Sequence, residues 1–79
     1  MAYYAFLDEN NIVTEVIPGI QEWDFIDGLP PEIWYSNFRG QTCIRTSYNG
    51  RIRGCFAGIG YSYDPIHDIF IPPPPTEDE

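Results

Sequence analysis

The sequence contains no lysine, a single histidine, a single methionine and two cysteines among its 79 residues. Its positive charge rests on four arginines set against twelve acidic residues, which leaves a formal net charge of -8. A field of that sign repels nucleic-acid backbones, so nucleic acid is not an expected partner unless a local patch overrides the average. Two cysteines fall short of the four ligands of a structural zinc site, and His67 brings the candidate ligands only to three. The spacing of Cys43 and Cys55 fits neither a zinc pattern nor a thioredoxin-like one. Two ordinary half-buried thiols are expected, reduced in an intracellular setting. No window approaches 18 apolar residues, so no membrane partner is expected. The start, MAYYAFLDENN, has neither the basic beginning nor the apolar run of a signal peptide. The chain is expected to act where it is made or to be carried into a larger particle.

What is present points to a folded, turn-rich domain. Apolar residues make up 43% of the chain and aromatic ones 16%, too many for a disordered segment despite the charge. Seven glycines and eight prolines favour turns and short strands over long helices. The length allows one domain with a small core. YYAFL at 3–7 and IVTEVI at 12–17, around the Asp/Asn-rich DENN, read as a β-hairpin that Pro18-Gly19 ends. In the second run Val13 and Glu15 share one face, with Ile12, Thr14 and Val16 on the other. The connector 20–38 reads as a loop or helical turn followed by a short helix over 31–38, with Pro31 in its first turn and Glu32 at its positive end. Trp23 and Trp34 are expected to supply core and lid area.

Two further hairpins are expected. TCIRTS at 42–47 and RIRGCF at 51–56 flank Tyr48-Asn49-Gly50, and Asn-Gly between β-forming runs is the strongest short-range hairpin signal. A three-residue loop with Gly50 in the left-handed region pairs Ser47 with Arg51, Arg45 with Arg53 and Cys43 with Cys55. It gathers Ile44, Thr46, Ile52, Gly54 and Phe56 on the opposite face, the register that the hydrophobic pattern prefers. The Arg45–Arg53 repulsion would cost a few tenths of a kcal/mol, roughly, and acidic partners offset it. A Cys43–Cys55 disulfide is geometrically possible in that register. Last come YSY and IFI around the turn DPIHD at 64–68. The glycines of GIGY, 58–61, read as bulge or twist positions of a sheet. The fold expected is therefore mainly β: a small antiparallel sheet of about three hairpins over 1–71, with helical turns in the connector. A polyproline II segment at 72–75 and an acidic end form a tail over 72–79.

Nothing in the spacing assembles a catalytic site, and a non-enzymatic protein with no cofactor and no metal is expected. His67 beside Asp68 reads as a solvent-facing turn histidine with no assignable nucleophile. The carboxylates show neither an EF-hand pattern nor a paired arrangement. GIGY lacks the third glycine and the following helix of a dinucleotide site. Arginine and tyrosine on one sheet face could stack and neutralise single-stranded nucleic acid, but the net charge opposes this. A protein interface fits better, because Tyr, Trp and Arg are the residues enriched at hot spots. The residues expected to carry it are Arg45, Arg51, Arg53, Tyr48, Tyr61, Tyr63 and Trp34, with Pro73 in a segment suited to an aromatic groove of a neighbour.

AFLDENNIVTEVI at 5–17 and TSYNGRIRGCFAGIGYSYDPIHDIFIPP at 46–73, together about half of the chain, carry a resemblance. They resemble a family of small virion- or tail-associated proteins of tailed bacteriophages, especially phages of marine bacteria and cyanobacteria. The matching elements are Leu7 to Ile17, Thr46 to Gly50, Ala57 to Asp64 and Asp68 to Pro73. Two departures stand out: Cys55 replaces a more usual tyrosine-like or polar residue, and Arg51 and Arg53 add positive charge. Relatives often continue beyond the prolines into tryptophan-bearing sequence, which bears on any attachment role of such an extension. The resemblance implies a structural component that decorates, cements or adapts a particle. Its partners would be phage capsid or tail proteins, or further copies of itself, in the virion and in the host cytoplasm during assembly. The alternative reading is a small acidic protein that binds and modulates a host protein, with carboxylates in a regular stripe that mimic nucleic acid.

Overall fold

The structure, a computed structural model, describes residues 2–74. Six elements follow in order: β1 Ala2–Leu7, β2 Val13–Gly19, α1 Pro31–Arg39, β3 Thr42–Thr46, β4 Ser62–Asp64 and β5 Ile69–Ile71. The strands form two antiparallel sheets, one ordered β2-β1-β3 and one pairing β4 with β5. The mainly β class with one short helix is as the sequence indicates.

The central strand explains the architecture. Every residue of β1 except Tyr3 is buried, so it reads as a continuous apolar run instead of an alternating one. Both of its faces are covered. Ala2, Tyr4 and Phe6 pack with Cys43 on one side, beneath Tyr35 of α1. Ala5 and Leu7 pack with Val13, Ala57 and Phe70 on the other, beneath the C-terminal segment and hairpin. The molecule is thus helix, sheet and hairpin in three layers.

The first hairpin forms with one correction. Asp8 closes its turn by accepting the Asn10 and Ile12 amides at 2.8 and 3.0 Å, while Asn11 sits at φ 62°. Phe6 then faces Glu15 whereas Leu7 faces Val13, which leaves Thr14 as a bulge. Val13 and Glu15 are therefore on opposite faces, not one, and Val13 joins Val16 in the same cluster. Thr14 Oγ1 donates to the Phe6 carbonyl, and the Gln41 amide donates to both Leu7 O and Thr14 Oγ1. The strand also runs past Ile17 to include Pro18-Gly19 before it ends there: Tyr3 pairs with Pro18 and Ala2 with Gly19. An edge strand tolerates proline because its outward side has no ladder bond to lose. Gly19 is required by close approach, since a Cβ there would lie 2.7 Å from Tyr35 Oη and 2.8 Å from the buried Tyr4 ring.

Helix α1 begins at Pro31, as expected, and runs one residue further to Arg39. Gly40, at φ 72°, ends it by donating to the Ser36 carbonyl at 2.8 Å.

The expected central hairpin is not formed. The turn is present, with Gly50 at φ 67° and its amide 2.8 Å from the Ser47 carbonyl. Residues 51–56 are nonetheless not a strand, because Arg53 and Gly54 both take positive φ, 54° and 85°. The ladder of β3 goes to β1. The Asn-Gly signal is local, whereas the partner of β3 is decided by a buried apolar strand that needs a neighbour on each side. The proposed pairings of Ser47 with Arg51, Arg45 with Arg53 and Cys43 with Cys55 fall with it. Both cysteines are free thiols, Cys43 packed on the helix side and Cys55 on the hairpin side.

The last hairpin is as expected, although β4 starts at Ser62. Asp64 accepts the Ile66 and His67 amides, and its carbonyl accepts the Asp68 amide at 2.7 Å. Gly58–Tyr61 is a turn instead of a sheet bulge, with the Tyr61 amide on the Gly58 carbonyl. Gly60 and Tyr63 donate to Val13 and Asn11, and Val13 donates to Tyr61, which stitches this segment along the start of β2. Pro72–Pro74 are exposed. The rest of the expected tail, 75–79, lies outside the described residues.

Candidate protein-binding surface

The arginine cluster closes the outer edge of β3. Arg45 pairs with Tyr4 of β1, yet its own amide and carbonyl point away from that ladder. Glu32 Oε2 of α1 accepts the Arg45 amide at 2.5 Å, and Arg53 Nη1 donates to the Arg45 carbonyl at 2.9 Å. The two side chains also pair with each other at 3.7 Å. They supply the acceptor and donor that a fourth strand would bring.

Arg53 reaches further, donating through Nε to Asp68 Oδ1 at 2.7 Å, where the Tyr63 hydroxyl also donates. Burial would lower the Arg53 pKa, but the Asp68 hydrogen bond and the Glu32 charge outweigh it and raise the value. Tyr63 and Arg53 in turn hold Asp68 below the usual carboxylate range. Arg45 pairs with Glu22 at 3.6 Å. Arg51 is exposed and makes no ion pair among the described residues. The structure therefore brings Arg45, Arg53 and Tyr63 together as a neutralised clasp joining helix, edge strand and last hairpin, and leaves Arg51 outside it.

The remaining candidates separate. Tyr61 packs against the hairpin-side core. Tyr48 is exposed at the turn, its ring 5.4 Å from Phe56 and 6.1 Å from Tyr3. Pro73 is exposed beyond β5. Trp34 lies on α1, across the sheet from Tyr61 and Tyr63. It stacks on Phe38 at 5.2 Å with an interplanar angle of 8° and meets the edge of Tyr35.

Trp34 and Trp23 were expected to supply core and lid area, yet the stretch of chain that holds both carries several exposed apolar side chains. Trp23, Phe25, Ile33 and Phe38 are all exposed, Phe38 at 70% and Trp23 at 66%. Residues 20–29 form turns, not a helix, so the roughly helical spacing of Ile20, Trp23, Phe25 and Ile26 has no buried face to serve. In α1 the inward position is Tyr35, 5.0 Å from the Tyr4 ring. Trp34 and Phe38, one turn apart, line the flank beside it. The i, i+4 spacing of those two aromatics was the available signal. Between the flank and the preceding turn runs a trough of about 290 Å³ lined by Asp27, Leu29, Trp34, Asn37 and Phe38. Arg39, the last residue of α1, lies over the Phe6 ring of the sheet at 4.4 Å and pairs with Glu15 at 2.5 Å.

The groups that could do chemistry are placed unfavourably for it. His67 is 71% exposed, and its Nδ1 lies 2.7 Å from Asp64, not from Asp68. That contact, led by the side-chain hydrogen bond, lowers the Asp64 pKa. Burial, reinforced by Glu32, pushes the Cys43 thiol up to about 12, far from a reactive thiolate. Among the described residues no three His, Cys, Asp or Glu side chains converge as a metal site. No described helix is long and apolar enough to cross a membrane. No family model, curated protein or solved structure matches the chain.

Proposed function

We propose that the chain is a non-enzymatic structural subunit of a tailed-phage particle that binds other particle proteins through side chains of residues 23–38. The observation that carries the binding role is the exposure of Trp23, Phe25, Ile33 and Phe38 within one short segment of a small acidic protein. Isolated exposed apolar residues need no explanation, but several large ones within 16 residues of sequence supply what an interface core requires. The assignment to a phage particle rests on the resemblance carried by Leu7 to Ile17, Thr46 to Gly50, Ala57 to Asp64 and Asp68 to Pro73.

The host-directed alternative needs carboxylates free to imitate phosphates. Glu15, Glu22, Glu32 and Asp68 are engaged by arginines, and Asp8 and Asp64 by backbone amides. This favours the structural reading. Purified virions, analysed for this chain by quantitative mass spectrometry, test it. A fixed copy number per particle is the expected result. Absence from virions together with a stable complex with a host protein would overturn it.

A further inference from the structure

The trough on α1 has a floor and two ends of different character. Trp34 and Phe38, one helical turn apart, set two nearly parallel rings whose centroids lie 5.2 Å apart. The Trp34 indole N–H makes one long, exposed contact of 3.4 Å with Asp27, so it is available as a donor. Asn37 adds an amide. Aromatic rings with an indole or amide donor recognise polyproline II, whose pyrrolidine rings stack while its carbonyls, left without internal hydrogen bonds, accept.

The chain carries such a ligand. Pro72–Pro74 are exposed, and Pro75 continues the run in the sequence. At about 3.1 Å per residue three prolines span roughly 9 Å, enough to cover both rings. The charges orient the segment. Asp27 stands at the Trp34 end of the trough and Arg39 follows Phe38, while residues 77–79 are all acidic. Asp27 repels that acidic end, which therefore belongs at the other end of the trough, beyond Phe38. The segment cannot serve its own trough: it leaves β5, in the layer opposite α1, and layers stack about 10 Å apart on each side of the sheet.

We propose that the trough lined by Trp34, Asn37 and Phe38 takes Pro72–Pro74 of a second copy of this chain, joining copies head to tail. The inference rests on reading this helix flank as a docking surface and names the partner. Such a contact is heterologous, so it closes into a ring or extends as a filament.

Sedimentation of the full chain across a concentration series tests it, with P73A/P74A and F38A as full-length variants checked for folding by circular dichroism. The wild type is expected to associate reversibly. Each variant alone should weaken association by about tenfold or more, the loss expected for a hot-spot contact. Mixing the two must restore a one-to-one dimer, because one supplies an intact trough and the other an intact proline segment. Phe38 is largely exposed, so its loss does not open the core. A wild type that stays monomeric to about 1 mM, or variants that associate like it, would overturn the proposal. So would a mixture that stays monomeric. A monomeric chain still present in virions would sink this inference and leave the proposed function intact; association without presence in virions would do the reverse.

Discussion

Replacing Arg53 tests the reasoning about the β3 edge. In R53A the Arg45 carbonyl loses its donor, a cost of about 1 kcal/mol where water can partly replace it. The guanidinium stem, 20% exposed as a side chain, loses its packing, which adds about 1 kcal/mol. The Asp68 contact adds little, since that carboxylate is largely exposed. The backbone supplies a second, independent handle. Arg53 has φ 54°, a region that costs a residue with a Cβ about 1 kcal/mol or more and glycine nothing. R53G should therefore be less damaging than R53A by about 1 kcal/mol, although it removes the same side chain. With a urea slope of about 1 kcal/mol/M for a domain of this size, the midpoint should fall by about 2 M for R53A and about 1 M for R53G. A midpoint for R53A within about 0.5 M of wild type would refute the clasp. An R53G protein no more stable than R53A would refute the backbone argument.

Three further outcomes follow from the same contacts. The pKa of Asp68 is lowered by Tyr63 and Arg53, and that of Asp64 by His67, so the folded state binds fewer protons than the unfolded one. Their stabilisation is complete above the ordinary value of 3.8 and is lost as pH falls through the lowered values, so urea midpoints should drop below that pH and drop less steeply in Y63F. G19A forces a Cβ against Tyr35 Oη and the Tyr4 ring, and thermal unfolding should show a loss of about 1–3 kcal/mol. Thiol titration of the native protein should find Cys55 reacting first and Cys43 only at the unfolding rate, with no intramolecular disulfide formed by mild oxidant, because the two thiols pack on opposite faces of the sheet.

Where a signal was local, the sequence was sufficient. Pro31 opens α1 from the first turn, where a proline has no hydrogen bond to lose, and Asp64-Pro65 sets the last turn. Even Gly50 takes the left-handed conformation expected of it. The failures share a cause, which is that the deciding partner is distant. The alternation of β2 looked imperfect because a bulge at Thr14, held by Gln41 from across the sheet, shifts the register by one residue. RIRGCF has a strand's composition, but Phe70 donates to the Arg53 carbonyl and Thr46 Oγ1 accepts the Ala57 amide, which bends the segment away from a ladder. The candidate site was half legible for the same reason. Trp34 and the arginines were recognisable as residue types suited to binding, but which aromatics face outward depends on the sheet beneath α1. Trp23, expected to supply core and lid area, is exposed accordingly.

The edges of the sheet determine what kind of assembly the surface permits. An open β-strand edge invites any extended chain to add to it. On one side β2 carries the Thr14 bulge and Pro18, and its beginning is already paired with residues 60–63. On the other side Glu32 and Arg53 occupy the outward amide and carbonyl of Arg45. Each is a device that blunts strand addition, and on the β3 edge it is assembled from the arginines that the sequence suggested as contacts. Arg45 and Arg53 thus close a nonspecific route of association, and in the proposed reading this leaves the aromatic flank of α1 as the place where a partner is chosen by shape. Breaking the clasp should therefore change the mode of association as well as stability, since R53A exposes an edge. An R53A/F38A double variant that still self-associates, now without need of Pro73 and Pro74, would be pairing through β3.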